Sequence, residues 1–210
     1  MGLVGLFAVA IAVWILGGVW FTLRLAGRPP GGAAASAMSA GAPIDLESAG
    51  LRGRVWVLQA DAGIGLEVMD IEGHGAGPVL VLVHDWGDAA LTLLPHAVDA
   101  AETHRRVLLP ALRGHEGGGG RCSLGPAEVR DVRLLLETAG SPESVLEGWG
   151  LGGRVALDAS DAEGVADVRD HGAWSGRRDG IRRILSSRGI PMWPVGWLAS
   201  WLWPERGAVS

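Results

Sequence analysis

The residues able to do chemistry gather in three short loops, each directly after an apolar run. Pro78 to His84 leads into His84-Asp85-Trp86-Gly87-Asp88, and Arg106 to Pro110 leads into Leu112-Arg113-Gly114-His115-Glu116-Gly117. Ser144 to Glu147 leads into Gly148-Trp149-Gly150-Leu151-Gly152-Gly153. A sharp turn from a strand to a helix lifts one side chain above the sheet, where a nucleophile can work, and its neighbours must be small. Gly148, Gly152 and Gly153 meet that steric demand, but Gly150, at the lifted position, has no side chain to offer. The backbone N–H of Leu151, with one from the loop after His84, could still form an oxyanion hole at a helix N-terminus. Such a hole binds an anion or a carbonyl oxygen, but alone it forms no acyl-enzyme.

In this order and spacing the three loops resemble the α/β-hydrolase superfamily, whose members carry an HG-type oxyanion loop, a D-x-RGHG loop and a G-x-S-x-G-G nucleophile elbow. The likeness covers roughly residues 54–190. It implies no cofactor and a triad in the chain order serine, acid, histidine. Four positions depart from the pattern: Asp85 and Glu116 replace glycines, Ala111 an aspartate and Gly150 the nucleophilic serine. In the 60 residues after Gly150 the sole histidine is His171, too near the elbow to match the usual position. The expectation is a hydrolase-like protein without serine-hydrolase activity, either a binding remnant or the product of a disrupted gene. One alternative is an active ester or peptide hydrolase with an unusual nucleophile or a half supplied by a partner.

Substitute nucleophiles are few. Cys122 and His115 flank a glycine-rich loop and could form a thiolate pair, although a free surface thiol is the simpler reading. Ser175 follows Asp170 and His171 without the geometry of a charge relay. His74, His84, His96 and His104 lack metal-ligand spacing, and His84 is expected to shape the oxyanion loop. A rival reading takes Gly148, Gly150 and Gly153 as G-x-G-x-x-G, with Asp167 and Asp170 about 20 residues on, the fingerprint of a dinucleotide-binding domain. That fingerprint belongs in a first βα unit, and here two parallel strands should precede it.

The elements that must position these loops follow from periodicity. Arg54 to Gln59 and Ile64 to Ile71 suit a hairpin. The apolar runs at Pro78, Arg106 and Ser144 suit strands buried on both faces. A helix is expected from Pro95, another over Pro126 to Ala139 closed by Gly140, a third near Arg154 to Ala159, and a short basic one around Arg177 to Arg188. A further element begins near Val165 to Val168. The fold class is therefore α/β: an antiparallel hairpin, then parallel βα units, preceded by one transmembrane helix.

Residues 1–25 are expected to form that helix. The first 23 carry no charge, and Arg24 and Arg28 follow directly. About 20 apolar residues span a bilayer core. A cleaved signal peptide, with Ala35-Ser36-Ala37 as a possible cleavage region, is the competing reading; the long apolar run and the missing basic n-region favour a retained anchor. The flanking arginines give a weak vote for a cytoplasmic domain. Residues 26–52 read as a flexible Pro/Gly/Ala tether, 53–190 as the hydrolase-like domain, and 191–210 as a Trp-rich tail and lid remnant. Trp193, Trp197 and Trp201 at helical spacing would make one aromatic face, for an acyl pocket, for lipid headgroups, or to cover the sheet edge. Net charge is −5 and every basic residue is arginine, a balance against nucleic-acid binding. The expected partners are a membrane, a small acyl or anionic ligand, and a protein or second copy over the open sheet edge.

Overall fold

The computed structural model describes residues 2–140 and 143–203. Pro204, expected to close the tryptophan run, lies outside them. A long helix α1 (Leu3–Gly27) and a short helix α2 (Ala33–Ser39) precede a hairpin of β1 (Gly53–Gln59) and β2 (Gly65–Glu72). Next come β3 (Gly77–Val83), α3 (Leu94–Ala101), β4 (His104–Pro110), α4 (Pro126–Ala139) and β5 (Ser144–Trp149). The chain continues with α5 (Leu151–Asp158), β6 (Val165–His171), α6 (Arg177–Ser186) and α7 (Trp197–Leu202).

The six strands form one mixed sheet in the order β1-β2-β4-β3-β5-β6. β2 pairs antiparallel with β1 and β4, and the remaining pairs are parallel. Alternation along β3 explains its unbroken apolar run. Val79, Val81 and Val83 face one core, built with α4, α5 and α6, while Leu80 and Leu82 face a second core built with α3. A central strand covered on both faces has no solvent side to make polar. The exposed edge strand β6 instead carries Asp167, Arg169 and Asp170, charges that discourage pairing with another sheet.

Three expectations change. The stretch 26–52, read as a tether, contains α2 and rests Ala33, Ala37, Leu46 and Leu51 against the second core. Alanine is the best helix former, and the small side chains let the segment lie close to the sheet layer. α5 starts at Leu151 rather than Arg154, because the glycine turn passes straight into the helix. The tryptophans do not share one continuous helix: Trp193 is extended (φ −96°, ψ 140°) and α7 begins only at Trp197. The residue before a proline is pushed out of the helical region, and Pro194 imposes this on Trp193.

The tail also divides by burial. Trp193 and Trp201 are each 77% exposed, whereas Trp203 is 6% exposed, joins the main core and donates its indole N–H to the Ser123 carbonyl at 3.1 Å. Trp203→Ala should cost about 3–5 kcal/mol, against about 0.5 kcal/mol or less for Trp201→Ala. Denaturant unfolding of the two variants checks this; equal losses would place Trp203 outside the core.

Candidate functional site

The three loops meet above the C-terminal ends of β3, β4 and β5, and His84 ties the first two together. Its Nε2 accepts the Leu112 N–H at 3.1 Å, so the ring proton sits on Nδ1, which donates to the Asp85 carbonyl at 2.8 Å. Burial, then the neighbouring His115 ring 4.9 Å away, pushes the His84 pKa down to about 3. The imidazole is neutral, fully buried and bonded to the backbone of both loops. The second loop is fixed by a buried ion pair in which Arg113 Nε and Nη2 donate to the two carboxylate oxygens of Asp131 of α4.

The turn from β5 into α5 is tightly packed. A Cβ at Gly148 would lie 2.4 Å from Gly152 backbone, and one at Gly152 would lie 2.2 Å from the Val83 carbonyl oxygen. One at Gly153 would lie 2.9 Å from the Gly148 carbonyl oxygen. Gly150 has φ +49° and ψ −107°, a conformation that costs an L-residue about 1–3 kcal/mol. A Cβ there would sit 2.1–2.2 Å from all three atoms of the Asp85 carboxylate. The space that a side chain at position 150 would take is thus filled from the neighbouring loop.

Asp85 Oδ1 accepts the backbone N–H of Trp86 at 2.7 Å and that of Leu151 at 2.6 Å. The Leu151 N–H, with one from the loop after His84, is the expected site for an external anion or carbonyl; here the N–H groups of Leu151 and Trp86 converge on the protein's own carboxylate. No described group donates to Oδ2. Burial raises the Asp85 carboxyl above the usual carboxylate range against the pull of these N–H groups and of Arg183. Asp88 is raised too, by burial and then by the Asp85 charge.

A shallow cavity of about 400 Å³ opens over this point, lined by Asp85, Asp88, His96, Trp149, His171 and Arg183 among others. His171 stacks on Trp149 with ring centroids 4.7 Å apart, and its Nε2 lies 2.8 Å from Glu147 Oε1. Glu147 and Arg183 carried no motif in the sequence; their places in the fold bring them here. Trp86 packs against the main core, donating its indole N–H to the Ala26 carbonyl of α1 at 3.0 Å, and Gly87 (φ +88°) lets the loop reverse behind it.

The other candidates fall away. Cys122 is buried, and burial with the nearby Glu128 charge pushes its thiol well up, so it forms no thiolate pair with His115. The His115 ring instead bonds the Arg113 carbonyl through Nδ1. Ser175 donates its backbone N–H to Asp179 and makes no relay with His171. A dinucleotide would have to displace Asp85 from the Leu151 N–H, and the glycine turn follows the third strand of the parallel set. Among the described residues no three His, Cys, Asp or Glu side chains converge as a metal site.

Two outcomes test this geometry. Gly150→Ser should clash with Asp85, and Asp85→Gly should relieve the clash, so a double-mutant cycle should give a coupling of about 1–3 kcal/mol; additive losses would mean the two positions do not touch. For His84, an unfolded chain takes up a proton below pH 6.5, whereas the folded one resists down to about 3. Its contribution is whole above pH 6.5 and is lost as pH falls from there, by up to about 1.4 kcal/mol per unit. His84→Gln should therefore show a flatter fall in urea midpoint between pH 7 and 5, and an unchanged slope would assign the acid sensitivity to other groups.

No family profile matches the chain. A pimeloyl-(acyl-carrier protein) methyl ester esterase of Xylella fastidiosa is 36% identical over 92 residues, covering 44% of this chain and 34% of that protein. The chain thus matches about a third of the curated relative's length. An esterase of Pyrococcus furiosus superposes with a TM-score of 0.64 at 14% identity, over 84% of this chain and 68% of that one. An N-acyl homoserine lactonase gives 0.53 at 18% identity, over 61% and 48%. An epoxide hydrolase from hot-environment metagenomes gives 0.51 at 22%, over 59% and 43%. With the sheet order and the three loops above it, these likenesses establish that the chain carries the α/β-hydrolase fold.

Proposed function

We propose that this is a membrane-anchored, hydrolase-like protein without serine-hydrolase activity. The observation that carries the reading is the Asp85 carboxylate, which holds both oxyanion-type N–H groups and occupies the space of the nucleophile side chain at Gly150. A substrate carbonyl would have to displace a bound carboxylate and would then meet no hydroxyl. Any external acyl or anionic ligand competes with Asp85 for the same two donors.

The anchor half of the reading rests on α1. Val4–Gly27 has a mean hydropathy of 2.3 over its most apolar stretch, long and apolar enough to cross a bilayer. Its far end is built into the domain: Ala26 is fully buried in the main core, and the Gly27 carbonyl accepts the Cys122 N–H at 3.0 Å. Cleavage in the region of Ala35 would strip that buried segment from the core, which favours a retained helix.

A second reading has its own observation, the partnerless Oδ2 of Asp85 beside the cavity. A carboxylate there could attack a saturated carbon, as in the ring opening of an epoxide, the substrate class named for one structural relative. Oδ2 would form a C–O bond while the ring C–O bond breaks, its electron pair leaving as an alkoxide. Oδ1 of the resulting ester would already lie on the two N–H groups. Water adding to the ester carbon would release the diol, its protons ending on the two product hydroxyls, and leave one water oxygen in Asp85.

One experiment separates the readings. The purified full chain is treated with a fluorophosphonate probe, and separately with styrene oxide in ¹⁸O-water under single-turnover conditions. The first reading expects neither a labelled adduct nor diol. The second expects diol, ¹⁸O in the peptide holding Asp85, and loss of both in Asp85→Asn. Fluorophosphonate labelling abolished by replacing one side chain would overturn the first reading.

A further inference from the structure

We infer that α6 and α7 form a platform seated on an anionic lipid surface around the anchor; this rests on the reading of α1 as membrane-spanning. The turn before α7 and α7 itself pack along the C-terminal half of α1. Val195 and Ala199 bury themselves with Val19, and Ile15, Leu23 and Leu198 close around them. The approach is tight, since a Cβ at Gly18 would lie 2.9 Å from Val195. Val19 stands eight residues before the helix end, about 12 Å along the axis. A helix crossing a core of about 30 Å places that position at or inside the edge of the hydrocarbon.

Whatever packs on Val19 shares its depth, and α7 brings large apolar side chains with it. Trp193 and Trp201 are 77% exposed, Leu202 52% and Trp197 45%. As a water-facing group these four would be an unpartnered apolar patch. At the depth set by α1 they meet the lipid boundary, where tryptophan is favoured.

Charge argues for the same occupant. Residues 177–188 hold five arginines against one aspartate, in a chain whose net charge is −5. Arg178, Arg182, Arg183 and Arg188 are exposed, and α6 packs against both α1 and α7. Arg24 and Arg28 are exposed at the anchor's end, Arg24 lying over the Trp20 ring at 5.3 Å. Basic side chains beside an apolar stripe match phosphate headgroups over acyl chains. These arginines lie around the end of α1, which among the described residues is the one helix apolar enough to enter a bilayer.

The test uses spin labels on the full chain in nanodiscs of phosphatidylcholine with or without phosphatidylglycerol, one copy per disc, in a Cys122→Ala background. Labels go at Trp201→Cys, at Val9→Cys in the anchor, and at Arg130→Cys on α4. The expected result is a Trp201 label more accessible to oxygen than to a water-soluble nickel chelate, intermediate between Val9 and Arg130. Arg178→Glu with Arg182→Glu should shift it towards water in discs containing phosphatidylglycerol and leave it unmoved in phosphatidylcholine alone. A water-like Trp201 label beside a lipid-buried Val9 label overturns the platform while the anchor stands; if both are water-like, the anchor reading fails as well. In discs loaded with two copies, spin–spin coupling between Trp201 labels would assign the face to a second copy and overturn the proposal. Should a labelled variant misfold, quenching of the unlabelled chain by brominated lipid decides instead. The quenched fraction falls when Trp193 and Trp201 become Phe, and an unchanged fraction overturns the proposal.

Discussion

The arrangement above the sheet depends on one carboxylate. Asp85 reaches from the first loop to the N–H of Leu151 in the third, so it joins β3 to the start of α5 as well as filling the turn. Its Oδ1 receives two N–H groups at 2.6–2.7 Å, charge-assisted bonds of the stronger kind. Gly150 is the other half of the same constraint, because any side chain there would overlap the carboxylate. The glycine is thus a steric requirement of this packing.

His84 extends the constraint to the second loop. By accepting from Leu112 and donating to the Asp85 carbonyl, it sets the backbone from which the Asp85 side chain departs. A protonated ring could not accept from Leu112, which is why burial and neutrality belong together here. The Trp86 indole carries the connection to the Ala26 carbonyl, so the end of the apolar helix is bonded to the loop that frames the site. The apolar helix and the elbow belong to one packed unit.

Much of this was legible along the chain. β3 and β4 announce themselves as apolar runs, and α4 shows a clear apolar face with proline at its start and glycine after its end. The close packing at Gly148, Gly152 and Gly153 follows from the elbow pattern, because a strand that turns at once into a helix leaves no room for Cβ atoms. The tail misled. Spacing at i, i+4 and i+8 suggests one aromatic face, yet Pro194 forces its predecessor out of the helix, a local steric effect that outweighs periodicity.

By itself the sequence determined the strands and helices of the sheet region, the loops that meet above it, and the absence of a hydroxyl at position 150. These depend on local patterns that survive without knowledge of distant contacts. Tertiary structure decided what stands in the empty place. Asp85 and Leu151 are 66 positions apart, and nothing local indicates that the carboxylate of one meets the N–H of the other. Two departures from the pattern, glycine to aspartate at 85 and serine to glycine at 150, look independent along the chain. Folding brings them together, so that the Asp85 carboxylate occupies the space that a side chain at position 150 would need.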